Sequence, residues 1–207
     1  MFTTILSDAY NNPINKDTNG GLVTFWTWDT AITATTTGNP VLVSELSNLQ
    51  MDVLGRIQIQ FVMNTIGTFS FQIGKASIFI PGSPFNFTVL PGLVSMATTR
   101  ASFLDYTTSV PILLAGTMVS VTIAQVDSYN NVVPQTFLFN TQIVSALGGL
   151  ALNIIINTTP ATSQGLQNLT FAPTVAGTFA LLIGNGVTNI SNSPLTFTVT
   201  PGAMDAL

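Results

Sequence analysis

The sequence predicts an all-β fold built as two β-sandwich modules in tandem, the first lacking its N-terminal strand. Three observations lead there. One stretch of chain recurs at a domain-length offset, apolar residues alternate along short runs, and turn-forming residues separate those runs.

Residues 57–92 match residues 167–202 without a gap. Phe61, Gly67, Phe69, Gly74, Ser83, Pro84 and Val89 fall on Phe171, Gly177, Phe179, Gly184, Ser193, Pro194 and Val199, at an offset of 110. That is the length of a domain, far longer than a solenoid repeat. A second match, SDAYNNPI from Ser7 against VDSYNNVV from Val126, has an offset of 119, so copy one carries nine extra residues between the matches. The polar, turn-forming stretch at residues 15–21 (NKDTNGG) is the expected place for most of them. Copy two has residues 93–117 ahead of its strand MVSVTIAQ, with no equivalent before MFTTILS in copy one, so the opening strand is the missing piece. After Thr200 the chain restarts as PGAMDAL, much as PGLVSMA follows Leu90. The expected organisation is therefore residues 1–92, residues 93–202, and residues 203–207 as the start of a further module or a donor tail.

Alternation of apolar residues is the signature of a half-buried strand. In copy one it runs through Ile57, Ile59 and Phe61, then Phe69, Phe71 and Ile73, then Phe85, Phe87 and Val89. In copy two Val119, Val121 and Ile123 oppose Ser120, Thr122 and Ala124, and the pattern returns at Phe179, Leu181 and Ile183 and at Leu195, Phe197 and Val199. Residues 150–156 are more continuously apolar and are expected to form a centrally buried strand. Turn formers such as Asn11-Asn12-Pro13, Pro81-Gly82-Ser83-Pro84 and Asn130-Asn131 lie between the runs. Many short strands at this spacing indicate an immunoglobulin-like sandwich, without the Cys and Trp signature of antibody domains. Trp26 and Trp28 share one face of a strand in copy one, and that face is either core or a contact platform for a ligand.

The motifs resemble those of filamin-type immunoglobulin-like repeats. In copy two these are Ala115-Gly116-Thr117, then Asp127, Tyr129 and Asn131, then Gly177-Thr178-Phe179 and the run from Ser193-Pro194 to Val199. Copy one matches best at Ser83-Pro84-Phe85-Asn86-Phe87-Thr88-Val89. The resemblance covers nearly the whole chain and implies a tandem β-sandwich of structural kind. It is closer to repeats of cell-surface proteins than to cytoskeletal filamins, which are rich in charge. The shared residues serve the fold: glycines for tight turns, prolines leading into a last strand, and Asp127 and Asn131 for a turn held by short polar side chains.

Composition narrows the function. Charged residues are 6% of the chain and the net charge is −4, against roughly 25% charged residues in an average soluble protein. Four scattered basic residues, Lys16, Arg56, Lys75 and Arg100, cannot neutralise a run of phosphates, so nucleic acid is excluded as a partner. With no His and no Cys, the usual general base, thiolate nucleophile and imidazole ligand are all lacking. The eight acids, Asp8, Asp17, Asp29, Glu45, Asp52, Asp105, Asp127 and Asp205, are dispersed and form no calcium-loop cluster. No catalytic, cofactor or metal residues are expected. The most apolar stretch, residues 143–156, contains Ser145, two glycines and Asn153 and falls short of the roughly 20 residues of a membrane helix. Four sequons, Asn86 (NFT), Asn157 (NTT), Asn168 (NLT) and Asn189 (NIS), are candidate glycan acceptors.

These features lead to the expectation of a structural repeat segment of an extracellular filament, flagellar hair or cell-surface array, whose partners are copies of itself or neighbouring modules, with glycans as further partners. The alternatives are an adhesive or recognition module that binds a peptide or glycan, and an accessory protein of a viral capsid or fibre.

Overall fold

A computed structural model describes residues 2–5, 29–34, 50–51, 56–59, 62–75, 78–108, 110–146, 151–152 and 154–202. Trp26 and Trp28 lie outside the described residues, as do residues 203–207. The chain divides into two compact units, Met1–Leu90 and Pro91–Leu207. Every described element is a strand.

In the first unit, β1 (Phe2–Ile5) pairs antiparallel with β4 (Arg56–Ile59), which also carries β3 (Gln50–Met51). The second sheet centres on β5 (Gly67–Lys75), flanked by β2 (Asp29–Ala34), β6 (Ile78–Phe79) and β7 (Phe85–Val89). Phe69, Phe71 and Ile73 are buried, as their alternation predicts, and the Phe69 ring lies 5.7 Å from that of Phe87. Asn86 and Thr88, between the half-buried Phe85, Phe87 and Val89, face solvent.

The second unit is a sandwich of two sheets. One has the order β13 (Asn157–Thr158), β14 (Leu166–Phe171), β10 (Val119–Ala124) and β8 (Arg100–Phe103). The other runs β12 (Ala151–Leu152), β11 (Asn140–Ser145), β15 (Gly177–Gly184), β16 (Leu195–Thr200) and β9 (Ile112–Leu114), with only the β16–β9 pair parallel. Inward residues of both sheets meet around the fully buried Phe197, whose ring lies 5.9, 5.6 and 5.8 Å from those of Phe103, Phe171 and Phe179. Aromatic burial on that scale dominates the energetics of so small a core.

The ladders that the two copies have in common share their registers. Phe2 pairs with Ile59 as Val121 pairs with Leu169, and Gly67 pairs with Val89 as Gly177 pairs with Val199. Asp29 pairs with Gly74 as Asn140 pairs with Gly184, an offset of 111 for β2 against β11. Eight of the nine extra residues of copy one therefore fall between Asn12 and Asp29, around the polar NKDTNGG stretch. Gly67 and Gly177 open their strands at φ of 141° and 146°, values open only to glycine. Next to each last strand, Ile73 N–H donates to Ser83 Oγ at 3.2 Å and Ile183 N–H donates to Ser193 Oγ at 2.9 Å. The following Ser–Pro bond is cis in both copies.

One expectation fails. The described residues of 150–156 do not form a central strand: β12 lies at the rim of one sheet, and β13, which begins at Asn157, lies at the rim of the other. Ile154 and Ile156 pack half-buried against the core while Ile155 is 79% exposed. A strand that changes sheets can close the side of a sandwich with alternate residues, so a continuous apolar run does not by itself imply burial on both faces.

Candidate functional site

The buried polar groups of the second unit are spent on holding it together. Asp127, buried in the turn after β10, accepts N–H bonds from Tyr129 and Asn131 at 2.9 Å each and from Gly92 at 3.0 Å. The Asn131 carboxamide donates to both of its oxygens, at 3.2 and 3.0 Å. Asn130 between them takes the left-handed φ of 64° that Asn tolerates. The Asp127 carbonyl in turn accepts from Thr98 Oγ1 at 2.9 Å. Burial raises the Asp127 pKa, but the hydrogen bonds from the Asn131 side chain and from the Gly92, Asn131 and Tyr129 backbones outweigh it and lower it to about 2. This is the turn expected of Asp127 and Asn131, and it also ties down Pro91-Gly92, the segment leading into the module.

Two further polar devices escape a reading of alternation. Gln125 and Gln167 face each other inside the sandwich, 1% and 0% exposed, with Gln125 Nε2 donating to Gln167 Oε1 at 3.1 Å. Gln125 Oε1 and Gln167 Nε2 have no protein partner. Their counterparts in copy one, by the offsets of 119 and 110, are Leu6 and Ile57, so the repeat exchanges a polar pair for an apolar pair. The second device guards the outer edge of β8. Asn192 Oδ1 accepts from Ala101 N–H at 2.9 Å and its Nδ2 donates to Ala101 C=O at 2.6 Å, while Ser191 N–H reaches the Thr99 carbonyl at 3.2 Å. A single carboxamide thus satisfies edge groups that another strand would otherwise pair.

Copy one replaces Ser191 and Asn192 with Pro81 and Gly82, which have neither the N–H nor the side chain for those bonds. Among the described residues β1 pairs only with β4. A strand added beside β1 would be held there by ladder hydrogen bonds, without the clamp that fixes β8. Extended along the sequence alone, the 111-residue offset sets Trp26 and Trp28 against Phe137 and Phe139 of copy two. Those two rings lie 4.8 Å apart and pack partly buried against the core.

The exposed surface of the second unit is almost without charge. Residues 91–202 contain only Arg100, Asp105 and Asp127, and Asp127 is buried. Leu104, Val110, Ile112, Leu114 and Met118, all exposed, come from the stretch that carries β9 and the approach to β10. On the outer face of the other sheet, Ser102, Thr122 and Asn168 form one cross-strand row and Ser120, Thr170 and Asn157 another. Among the described residues no cluster of acids could hold a metal ion and no helix is long and apolar enough to cross a membrane. Such surfaces can make contacts by shape, hydroxyl and amide hydrogen bonding and apolar burial. Of the four sequon asparagines, Asn86, Asn157 and Asn189 are exposed and Asn168 is half-buried.

Comparison with known proteins accords with this architecture. The chain matches the sequence profile of a family described as the GEX2 N-terminal Ig-like domain twice, over residues 2–89 and 100–199. No curated protein matches it. Among solved structures, the Escherichia coli adhesin FdeC is 16% identical, with 89% of this chain and 57% of that one covered and a TM-score of 0.52. Yersinia pseudotuberculosis InvD is also 16% identical, covering 98% of this chain and 52% of its own, with a TM-score of 0.50. The filamin domain of Lin-41 is 18% identical over 48% of this chain and 91% of that domain, with a TM-score of 0.39. This chain thus spans about half of the FdeC and InvD chains, and likeness at these identities concerns the fold.

Proposed function

The chain belongs to the family of GEX2 N-terminal Ig-like domains, present here in two consecutive copies, and on that basis we propose that it is a non-catalytic module of a cell-surface or extracellular chain. It acts by presenting surface and by making contacts along strand edges and module ends. The observation that carries this reading is the near-absence of exposed charge on the second unit, where among the described residues only Arg100 and Asp105 remain exposed. An ionic surface keeps crowded soluble domains apart, and one built from hydroxyls, amides and aliphatic side chains permits close approach instead.

Within that reading we favour a structural repeat of a filament or surface array. Gly92 N–H is docked on Asp127, which ties the Pro91-Gly92 pair to the second module, and Pro201-Gly202 repeats that pair after β16. That recurrence supports end-to-end continuation into a further module. A second reading, adhesion, is favoured by the exposed aliphatic stretch around β9 and by the fold shared with FdeC, itself an adhesin. Antibody labelling of intact cells of the source tests the common core of both readings. Staining without permeabilisation is expected, and staining only after permeabilisation would refute the surface address. Beads coated with the protein then separate the two: clustering with each other marks a self-assembling repeat, and capture by uncoated cells marks an adhesin.

A further inference from the structure

We infer that the second module carries an N-linked glycan at Asn157, and that the neighbouring sequon asparagine, Asn168, is a structural residue that stays bare. The two sequons are interlocked on adjacent strands. Asn157 of β13 sits opposite Thr170, the hydroxyl residue of the Asn168 sequon. Thr159, the hydroxyl residue of the Asn157 sequon, sits against Asn168: its N–H donates to the Asn168 carbonyl at 2.9 Å and its Oγ1 accepts from Asn168 N–H at 3.1 Å. One patch of sheet therefore holds both acceptors, and their surroundings differ.

Asn157 lies on the outermost strand of its sheet, is exposed, and its carboxamide has no hydrogen-bond partner among the described residues. Asn168 lies on β14 between β13 and β10, is half-buried, and its Oδ1 accepts from Thr122 Oγ1 at 2.9 Å. A sugar on Asn168 would rise from the middle of the face, with Thr122 on one side and the β13 strand on the other. A sugar on Asn157 leaves at the rim. Chain order acts in the same direction: residues 157–159 emerge before β14 exists to engage Thr159, whereas Asn168 emerges when β10 and β13 are already available to pair.

The chemistry is transfer from a lipid-diphosphate-linked oligosaccharide. The Asn157 carboxamide nitrogen bonds to the anomeric carbon as the bond from that carbon to the diphosphate oxygen breaks, and one amide proton leaves to base. The proposal rests on the extracellular reading above. The test is secretion of the full chain with an added leader from a eukaryotic host, followed by glycopeptide mapping and by the variants N157Q and N168Q. Expected are a glycan at Asn157, none at Asn168, loss of that glycan in N157Q, and its retention in N168Q with a lowered Tm. A bare Asn157, an occupied Asn168, or an N168Q protein as stable as the parent would each overturn the assignment, and the wild-type map decides occupancy should N168Q fail to fold. Protein from its natural source found bare, with Asn157 occupied in the secretory host, would count against the surface address and leave the site standing.

Discussion

Asp127 shows how one residue of a recognisable motif fastens a module. Its folded-state pKa of about 2 lies below the ordinary 3.8, so its contribution to stability is fully present above the ordinary value and is lost as pH falls through that interval. Urea denaturation at stepped pH is expected to show stability declining between about 3.8 and about 2, with a shallower decline in D127N. D127A leaves four donating groups without their acceptor and is expected to cost on the order of 3 kcal/mol; an unchanged denaturation midpoint would refute the clamp. The role of Asp127 was legible in the spacing DSYNN, because a short acceptor beside Asn-Asn has few other uses. The Gln125–Gln167 pair was not, since the polarity of glutamine argues for solvent even though the two residues continue the inward rows of Val121 and Ile123 and of Leu169 and Phe171. The signal lay in comparing the copies, where Leu6 and Ile57 hold the same two places. Q125L or Q167I alone buries an unpaired amide and is expected to cost about 2 kcal/mol, while the double variant is expected to fall close to wild type. Additive losses in the double-mutant cycle would show that the two amides act independently.

Among the elements, the strands that alternate strictly were legible because burial follows the pleat: Val119, Val121 and Ile123 are buried as expected, as are Phe179, Leu181 and Ile183. The apolar run at 150–156 was misleading because composition carries burial but not position within a sheet: among its described residues β12 lies at the rim of its sheet and Ile155 is exposed. Edges were the least legible feature, since the group that caps β8 is a single asparagine ninety-one residues downstream in a turn. N192A removes both bonds to Ala101, one of which holds the Ala101 amide proton itself. Hydrogen exchange at Ala101 is therefore expected to quicken by about tenfold, roughly the worth of one such bond, with amides of the β10–β14 ladder unchanged. Unaltered exchange at Ala101 would mean that packing alone secures this edge. The Pro81-Gly82 replacement removes the same clamp from copy one, so any strand that joins β1 is less tightly specified than β8.

For the whole molecule, the tandem organisation was visible as a 110-residue recurrence, and the structure repeats it down to the strand register. What the molecule binds was not visible, because exposed hydroxyl, amide and aliphatic groups form no motif comparable to a metal or catalytic cluster. The same composition does dictate how association responds to solvent. Exposed ion pairs are screened within roughly 10 Å at 0.1 M salt, and contacts that depend on them weaken as salt is added. A chain with 6% charged residues and a net charge of −4 has few such pairs to lose. Sedimentation at neutral pH is therefore expected to show self-association that is unchanged, or strengthened, between about 0.05 and about 0.5 M salt. It is also expected to rise as pH approaches 4.1, where the remaining net repulsion vanishes. Because Asp127 stays ionised until about pH 2, that rise occurs with its clamp intact and reports contacts between folded modules. Dissociation on adding salt would place the few ionic residues, Arg100 and Asp105 among them, at the interface and would overturn the uncharged-contact reading, and a monomer at every concentration and pH would remove self-assembly altogether.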